Sequence, residues 1–140
     1  MAGFSDPVLC ILVVDDDVET LRVYGLHLGR LGHTVHQAHS GAHALEQIAV
    51  LHPDLVFLDL GMPGMDGFEV ANRIRSEPRL LATKVIAVTA YDDTAHRQRG
   101  IYTGFDGYLV KPVAFEAIEA MIDSVRNALL GSGQHTHPEC

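Results

Sequence analysis

Residues 55–67 read LVFLDLGMPGMDG. Leu55 to Leu58 run without a polar break, and Asp59 follows at once. Gly61, Pro63, Gly64 and Gly67 then break the chain into a loop. A strand with one wet face alternates apolar and polar side chains, so an unbroken apolar run marks a strand covered on both faces. An Asp after such a strand is an ordinary turn former. What the other strands end in decides whether Asp59 is more than that.

Working outward, CILVV (10–14), HTVHQA (33–38), KVIAVT (84–89) and GYLV (107–110) read as further strands beside DLVFLD (54–59). Amphipathic stretches alternate with them. Apolar residues at 18, 21, 24, 28 and 31 follow a helical period. Ser40 is a candidate N-cap for a helix over 41–51, stopped by His52-Pro53. Gly67 to Ser76 reads as a helix ending before Pro78. Further helices are expected over 93–102, with Gly104 as the stop, and over Ala114 to Leu130. Five β-α units in strict alternation give an α/β fold: a five-stranded parallel sheet, doubly wound, with five helices and right-handed crossovers.

The chain has 140 residues, enough for one domain with one sizeable core. Expected boundaries are an N-terminal extension over 1–8, the domain over 9–130, and a disordered polar tail, GSGQHTHPEC, over 131–140. A net charge of −8 argues against nucleic-acid binding and an anionic membrane surface. No apolar run has the length of a membrane span, and MAGFSDPVLC does not read as a secretory signal. A cytoplasmic protein is expected. Two cysteines make no disulfide framework, and Cys10 reads as a small buried side chain.

In an open α/β sheet, ligands bind beyond the carboxyl ends of the strands. The first strand ends in Asp15, Asp16 and Asp17, the third in Asp59, the fourth in Thr89, and the fifth runs into Lys111-Pro112. Each alone has an ordinary explanation, and Asp17 is read as a helix cap. Together they place acids, a hydroxyl and an ammonium on one rim. Asp15, Asp16 and Asp59 would repel one another in a partly dry cleft, and a hard divalent cation such as Mg²⁺ relieves that. A carboxylate so placed can attack phosphorus and form an aspartyl phosphate. Lys111 and Thr89 can contact the transferred group.

ILVVDDD, LVFLDLGMPGMDG, VIAVTAY and GYLVKP, in this order and spacing, resemble the receiver domain of two-component response regulators over residues 9 to 130. The resemblance implies a flavodoxin-like strand order, 2-1-3-4-5. It implies that Asp59 is the phosphoacceptor and that Asp15, Asp16, Asp59 and the backbone carbonyl of Gly61 hold Mg²⁺ or Mn²⁺. It further implies that Lys111 pairs with the phosphoryl group, that its peptide bond to Pro112 is cis, and that Thr89 and Tyr108 are the switch pair. Gly61 and Tyr91 occupy positions that vary among relatives and tune phosphoryl lifetime. Tyr91 is read as a shield against water. The implied partners are a histidine kinase or histidine phosphotransfer protein and a downstream protein target. The implied output surface is the helix over 93–102, the fifth strand and the final helix. The chain is then a signalling phosphoacceptor that assists its own phosphorylation and dephosphorylation, not an enzyme in the usual sense.

No output domain follows residue 130, which fits a stand-alone receiver. The wording DLGMPGMDGFEV equally resembles receivers of hybrid histidine kinases. An aspartyl-nucleophile phosphatase would carry a second Asp two residues after the nucleophile, where this chain has Gly61. A nucleotide-binding flavodoxin-like protein needs a phosphate cradle after the first strand, and DDDV would repel phosphate. His33, His36, His39 and His43 are read as solvated surface rather than a metal site.

Overall fold

The computed structural model describes residues 8–64, 67–90 and 104–132. Its elements are β1 (Cys10–Val14), α1 (Val18–Arg30), β2 (Thr34–Ala38), α2 (Gly41–Leu51), β3 (Leu55–Asp59) and α3 (Gly67–Arg75). A 3₁₀ turn (Pro78–Leu80), β4 (Lys84–Thr89), β5 (Gly107–Val110) and α4 (Phe115–Ser132) complete them. The helix expected over 93–102 lies outside the described residues.

The strands form one parallel sheet in the order β2-β1-β3-β4-β5. The sheet centre is β3, which explains its unbroken apolar run. Alternate side chains of each strand go to opposite faces. Ile11, Val13, Leu55, Phe57, Ile86 and Val88 pack on one face against Leu21, Tyr24 and Leu28 of α1 and Ile118, Ile122 and Val125 of α4. Leu12, Val14, Val56, Leu58 and Val85 pack on the other against Ala44 and Ile48 of α2 and Val70, Ala71 and Ile74 of α3. Each large apolar side chain so buried contributes about 1.5–3 kcal/mol relative to exposure.

Register then fixes the rim. Val14 pairs with Leu58, so Asp15 and Asp59 follow as neighbours. Asp59 pairs with Val88, which puts Thr89 one step on. Thr89 pairs with Val110, which puts Lys111 one step further. The Lys111 amide donates to the Thr89 carbonyl at 2.7 Å and closes this staircase.

Helix starts follow local chemistry. Asp17 caps α1, accepting from the Glu19 amide at 3.3 Å and the Thr20 hydroxyl at 2.7 Å. Ser40 caps α2 through the His43 amide at 3.1 Å. A Cβ at Gly67 would lie 2.7 Å from Leu60 Cδ2 and 3.3 Å from Leu60 Cα, so a side chain at the start of α3 would require Leu60 to shift. Among the described residues, no helix is long and apolar enough to cross a membrane.

Arg75, at the end of α3, makes a long-range clamp. Its Nε donates to the Gly104 carbonyl at 3.0 Å and its Nη2 to Asp106 Oδ2 at 2.6 Å. The same Asp106 oxygen accepts the Val85 amide at 2.7 Å. Gly104 has φ +89°, and a Cβ there would meet Arg75 Cγ at 2.5 Å. Arg75→Ala therefore leaves the Asp106 carboxylate without its cation and the Gly104 carbonyl without this donor. The expected loss of stability is about 2 kcal/mol, read from urea midpoints at unchanged m-value.

Candidate functional site

The rim built by the sheet register carries the side chains the sequence singled out. Asp15, Asp59 and Thr89 are buried there, while Asp16 is exposed. Carboxylate oxygens of Asp15, Asp16 and Asp59 all lie within 4.8 Å of one another. The Lys111 ammonium sits 3.3 Å from Asp59 Oδ2 and 3.5 Å from Asp15 Oδ2. A cavity of about 330 Å³ opens among Asp16, Asp59, Leu60, Gly61, Thr89, Ala90 and Lys111.

Two backbone amides orient the buried acids. The Gly61 amide donates to Asp59 Oδ1 at 2.9 Å, and the Asp17 amide to Asp15 Oδ1 at 2.9 Å. The first depends on the tight turn after β3, the second on the start of α1. Each acid thus has one oxygen tied to its own loop and the other turned toward Lys111.

The electrostatics follow from burial and crowding. Burial, then the charges of Asp59 and Asp16, hold the Asp15 carboxyl above its ordinary value, against the pull of the Asp17 amide and Lys111. Burial alone would pull the Lys111 ammonium down, but Asp59 and Asp15 outweigh it and hold the ammonium above its ordinary value. The acids therefore carry more negative charge than one lysine offsets. A donor set of three carboxylates fits a hard divalent cation, which prefers oxygen ligands.

Tyr24 reads from the sequence only as one of the apolar residues of a helix. This residue of α1 lies under the site, its ring 5.7 Å from that of Phe57. Burial, with the charges of Asp15 and Asp59, pushes its phenol up to about 12, so the hydroxyl stays neutral. Beside Lys111, Tyr24 also lines a groove of about 590 Å³ together with Val23, Val113, Phe115 and Ile118. The Lys111–Pro112 peptide is cis.

Other expected residues lie apart from this cavity or beyond view. Tyr108, half-buried on β5, is not among the cavity's lining residues. Tyr91 lies outside the described residues. His33 is buried rather than solvated: its Nδ1 accepts the Leu9 amide at 3.1 Å, and its Nε2 lies 3.0 Å from Arg126 Nη2. His36 and His43 are half-buried, and only His39 of the four is exposed. His43 Nε2 faces the Gln47 amide nitrogen at 3.0 Å, and that nitrogen also donates to the Gln37 carbonyl at 2.6 Å. These burials come from tertiary packing against α2 and α4, which has no local signature.

Residues 11–123 match the family model for the response regulator receiver domain. The chain belongs to that family. Among curated relatives, this receiver is 42% identical over 110 residues to the response regulator MprA of Mycobacterium ulcerans, covering 79% of this chain and 47% of the relative. It is 38% identical over 115 residues to the transcriptional regulatory protein AfsQ1 of Streptomyces coelicolor, covering 82% and 50%. The receiver thus spans about half the length of these relatives. Among solved structures, the chemotaxis response regulator CheY4 of Vibrio cholerae matches with a TM-score of 0.80 at 27% identity, over 85% of this chain and 99% of that one. A CheY-like receiver from Methanospirillum hungatei JF-1 matches at 0.83 and 25%, over 90% and 99%.

Proposed function

We propose that this receiver takes a phosphoryl group onto Asp59 from a phosphohistidine of a histidine kinase or phosphotransfer protein. The observation that carries this reading is the Asp59 carboxylate itself. It lines the cavity, has Oδ1 held by the Gly61 amide, and has Oδ2 3.3 Å from the Lys111 ammonium. In the transfer, an Asp59 oxygen forms a bond to phosphorus as the P–N bond breaks. The electron pair of that bond leaves with the imidazole, which is protonated to its neutral form.

Mg²⁺ or Mn²⁺ would be held by Asp15, Asp16, Asp59 and the Gly61 carbonyl, and supplies positive charge against the phosphoryl oxygens. Lys111 offsets further charge on the same group, and Thr89 donates its hydroxyl to it. The apolar groove beside Lys111 offers the donor protein a seat close to Asp59. The chain's own part is to accept, hold and release the phosphoryl group. It acts as a signalling module, not a turnover catalyst for a separate substrate.

The output passes through Tyr108 and the surface of β5 and α4 to a downstream protein target; the helix expected over 93–102 lies outside the described residues. A phosphoryl group adds about −1.5 to −2 charge at Asp59. Drawing Thr89 toward that charge, with Tyr108 following, biases two pre-existing arrangements. Taking such an equilibrium from 1:99 to 99:1 needs about 5.5 kcal/mol of differential stabilisation.

Incubation with Mg²⁺ and a small acyl phosphate, followed by intact mass, tests the reading. Uptake of one phosphoryl group supports it; no uptake with cation binding verified separately would make this receiver a constitutive docking module. Tyr91 is proposed to shield the aspartyl phosphate from water. Tyr91→Ala is then expected to shorten its half-life by about tenfold, equivalent to about 1.4 kcal/mol of barrier to attack by water. Decay followed by mass at fixed pH measures this, and an unchanged half-life removes Tyr91 from the account.

A further inference from the structure

An aromatic row links the loop after the phosphoacceptor strand to Tyr108. Phe68 sits in the first turn of α3, directly beyond that loop, and is buried. The Phe105 ring lies 5.6 Å from it, edge-on at 79°. On its other side Phe105 lies 5.9 Å from the Tyr108 ring, tilted at 50°. Both separations are in the range where aromatic pairs attract beyond simple area burial.

The backbone on either side of Phe105 is pinned. The Gly104 carbonyl accepts from Arg75, and the Asp106 carboxylate accepts from Arg75 and from the Val85 amide. The Asp106 amide in turn donates to the Val85 carbonyl at 2.8 Å. Phe105 is therefore a half-buried ring on a fixed mount, held to α3 at one end of the row and to β4 beneath it. It has little room to yield when Tyr108 repacks.

We infer that Phe105 is a positioning residue for Tyr108, an aromatic bracket that favours the present packing of the Tyr108 ring. The inference deepens the proposed function, since it rests on Tyr108 being the switch aromatic. Phe105 does not line the cavity that holds Asp59 and Lys111, so it acts on that site only through the Tyr108 equilibrium. Two arrangements of Tyr108 differ by whether the Phe105 contact is kept, which is the differential contact a switch requires.

The test labels the chain with fluorotyrosine and follows the Tyr108 fluorine resonance, assigned by its absence in Tyr108→Phe. Spectra are taken with and without Mg²⁺ and beryllium trifluoride, a phosphoryl mimic. Phe105→Ala is expected to move the ligand-free resonance toward its position in the mimic-bound wild type. The population ratio should change by about threefold to tenfold, the worth of one aromatic pair. Phe105→Leu, which keeps bulk and guards against a folding defect, should show most of the effect, and Phe105→Tyr should restore wild-type behaviour. All three should still take up one phosphoryl group at Asp59, and Phe105→Ala should bind the mimic more tightly in step with its shifted population. A Tyr108 resonance indifferent to Phe105→Ala and Phe105→Leu overturns the inference. A wild-type resonance indifferent to the mimic instead overturns Tyr108 as the switch, and a Phe105→Ala shift without ligand would still uphold the bracket.

Discussion

Asp59→Ala is expected to abolish phosphoryl uptake from Mg²⁺ and an acyl phosphate, while the wild type gains one group per chain. The neighbouring acids do not substitute for Asp59. Asp16 is exposed and makes no ion pair with Lys111 among the described residues. Asp15 faces Lys111 at 3.5 Å but is not among the residues lining the cavity. Asp59 alone combines both placements, at the end of the central strand. Intact mass gives the answer directly, and circular dichroism checks the fold. A variant that still takes up one phosphoryl group would move the acceptor to another residue and undo the proposed chemistry.

Asp15→Asn is expected to have opposite effects on the metal-free protein and on cation binding. Asn can keep the bond from the Asp17 amide to Oδ1 while removing one of three crowded charges. Burial, with repulsion from Asp59 and Asp16, raises the folded-state value of Asp15 above 3.8. In that window the folded chain holds a proton more often than the unfolded chain, so stability falls as pH rises through it. The metal-free melting midpoint should therefore be higher in Asp15→Asn at neutral pH, with a flatter pH profile. Mg²⁺ affinity should fall by about tenfold or more, reducing protection at a fixed saturating concentration by about 1.4 kcal/mol. Calorimetric melting with and without Mg²⁺ reads both. A lower midpoint without metal, or equal protection by Mg²⁺, would contradict the crowded-carboxylate account.

The sheet was legible because burial on both faces writes itself into consecutive residues. CILVV, KVIAVT and GYLV match β1, β4 and β5 residue for residue. The reading of 54–59 is one residue longer than β3, where the Asp54 carboxylate accepts the Cys10 amide at 2.8 Å. Caps at Asp17 and Ser40 were legible because a cap acts within three residues. The rim was legible because parallel strands bring their ends together once their order is known. What escaped the sequence depends on distant partners. Arg75 reads as a solvated helix charge until Asp106 and Gly104, some thirty residues on, come to meet it. His33 reads as solvated surface until Leu9 and Arg126 enclose it. Tyr24 and Phe105 read as ordinary aromatic residues, and only their neighbours give them a place in the site.

The two tethers on Asp59 have a stereochemical consequence. A carboxylate in water spins about its last bond, and its oxygens exchange freely. Here Oδ1 is bound to the Gly61 amide and Oδ2 faces Lys111. Exchange would require both contacts to break at once. The two oxygens thus sit in different surroundings, one facing an amide and the other an ammonium. The rotation that a free carboxylate loses on meeting its reaction partner is lost here when the chain folds.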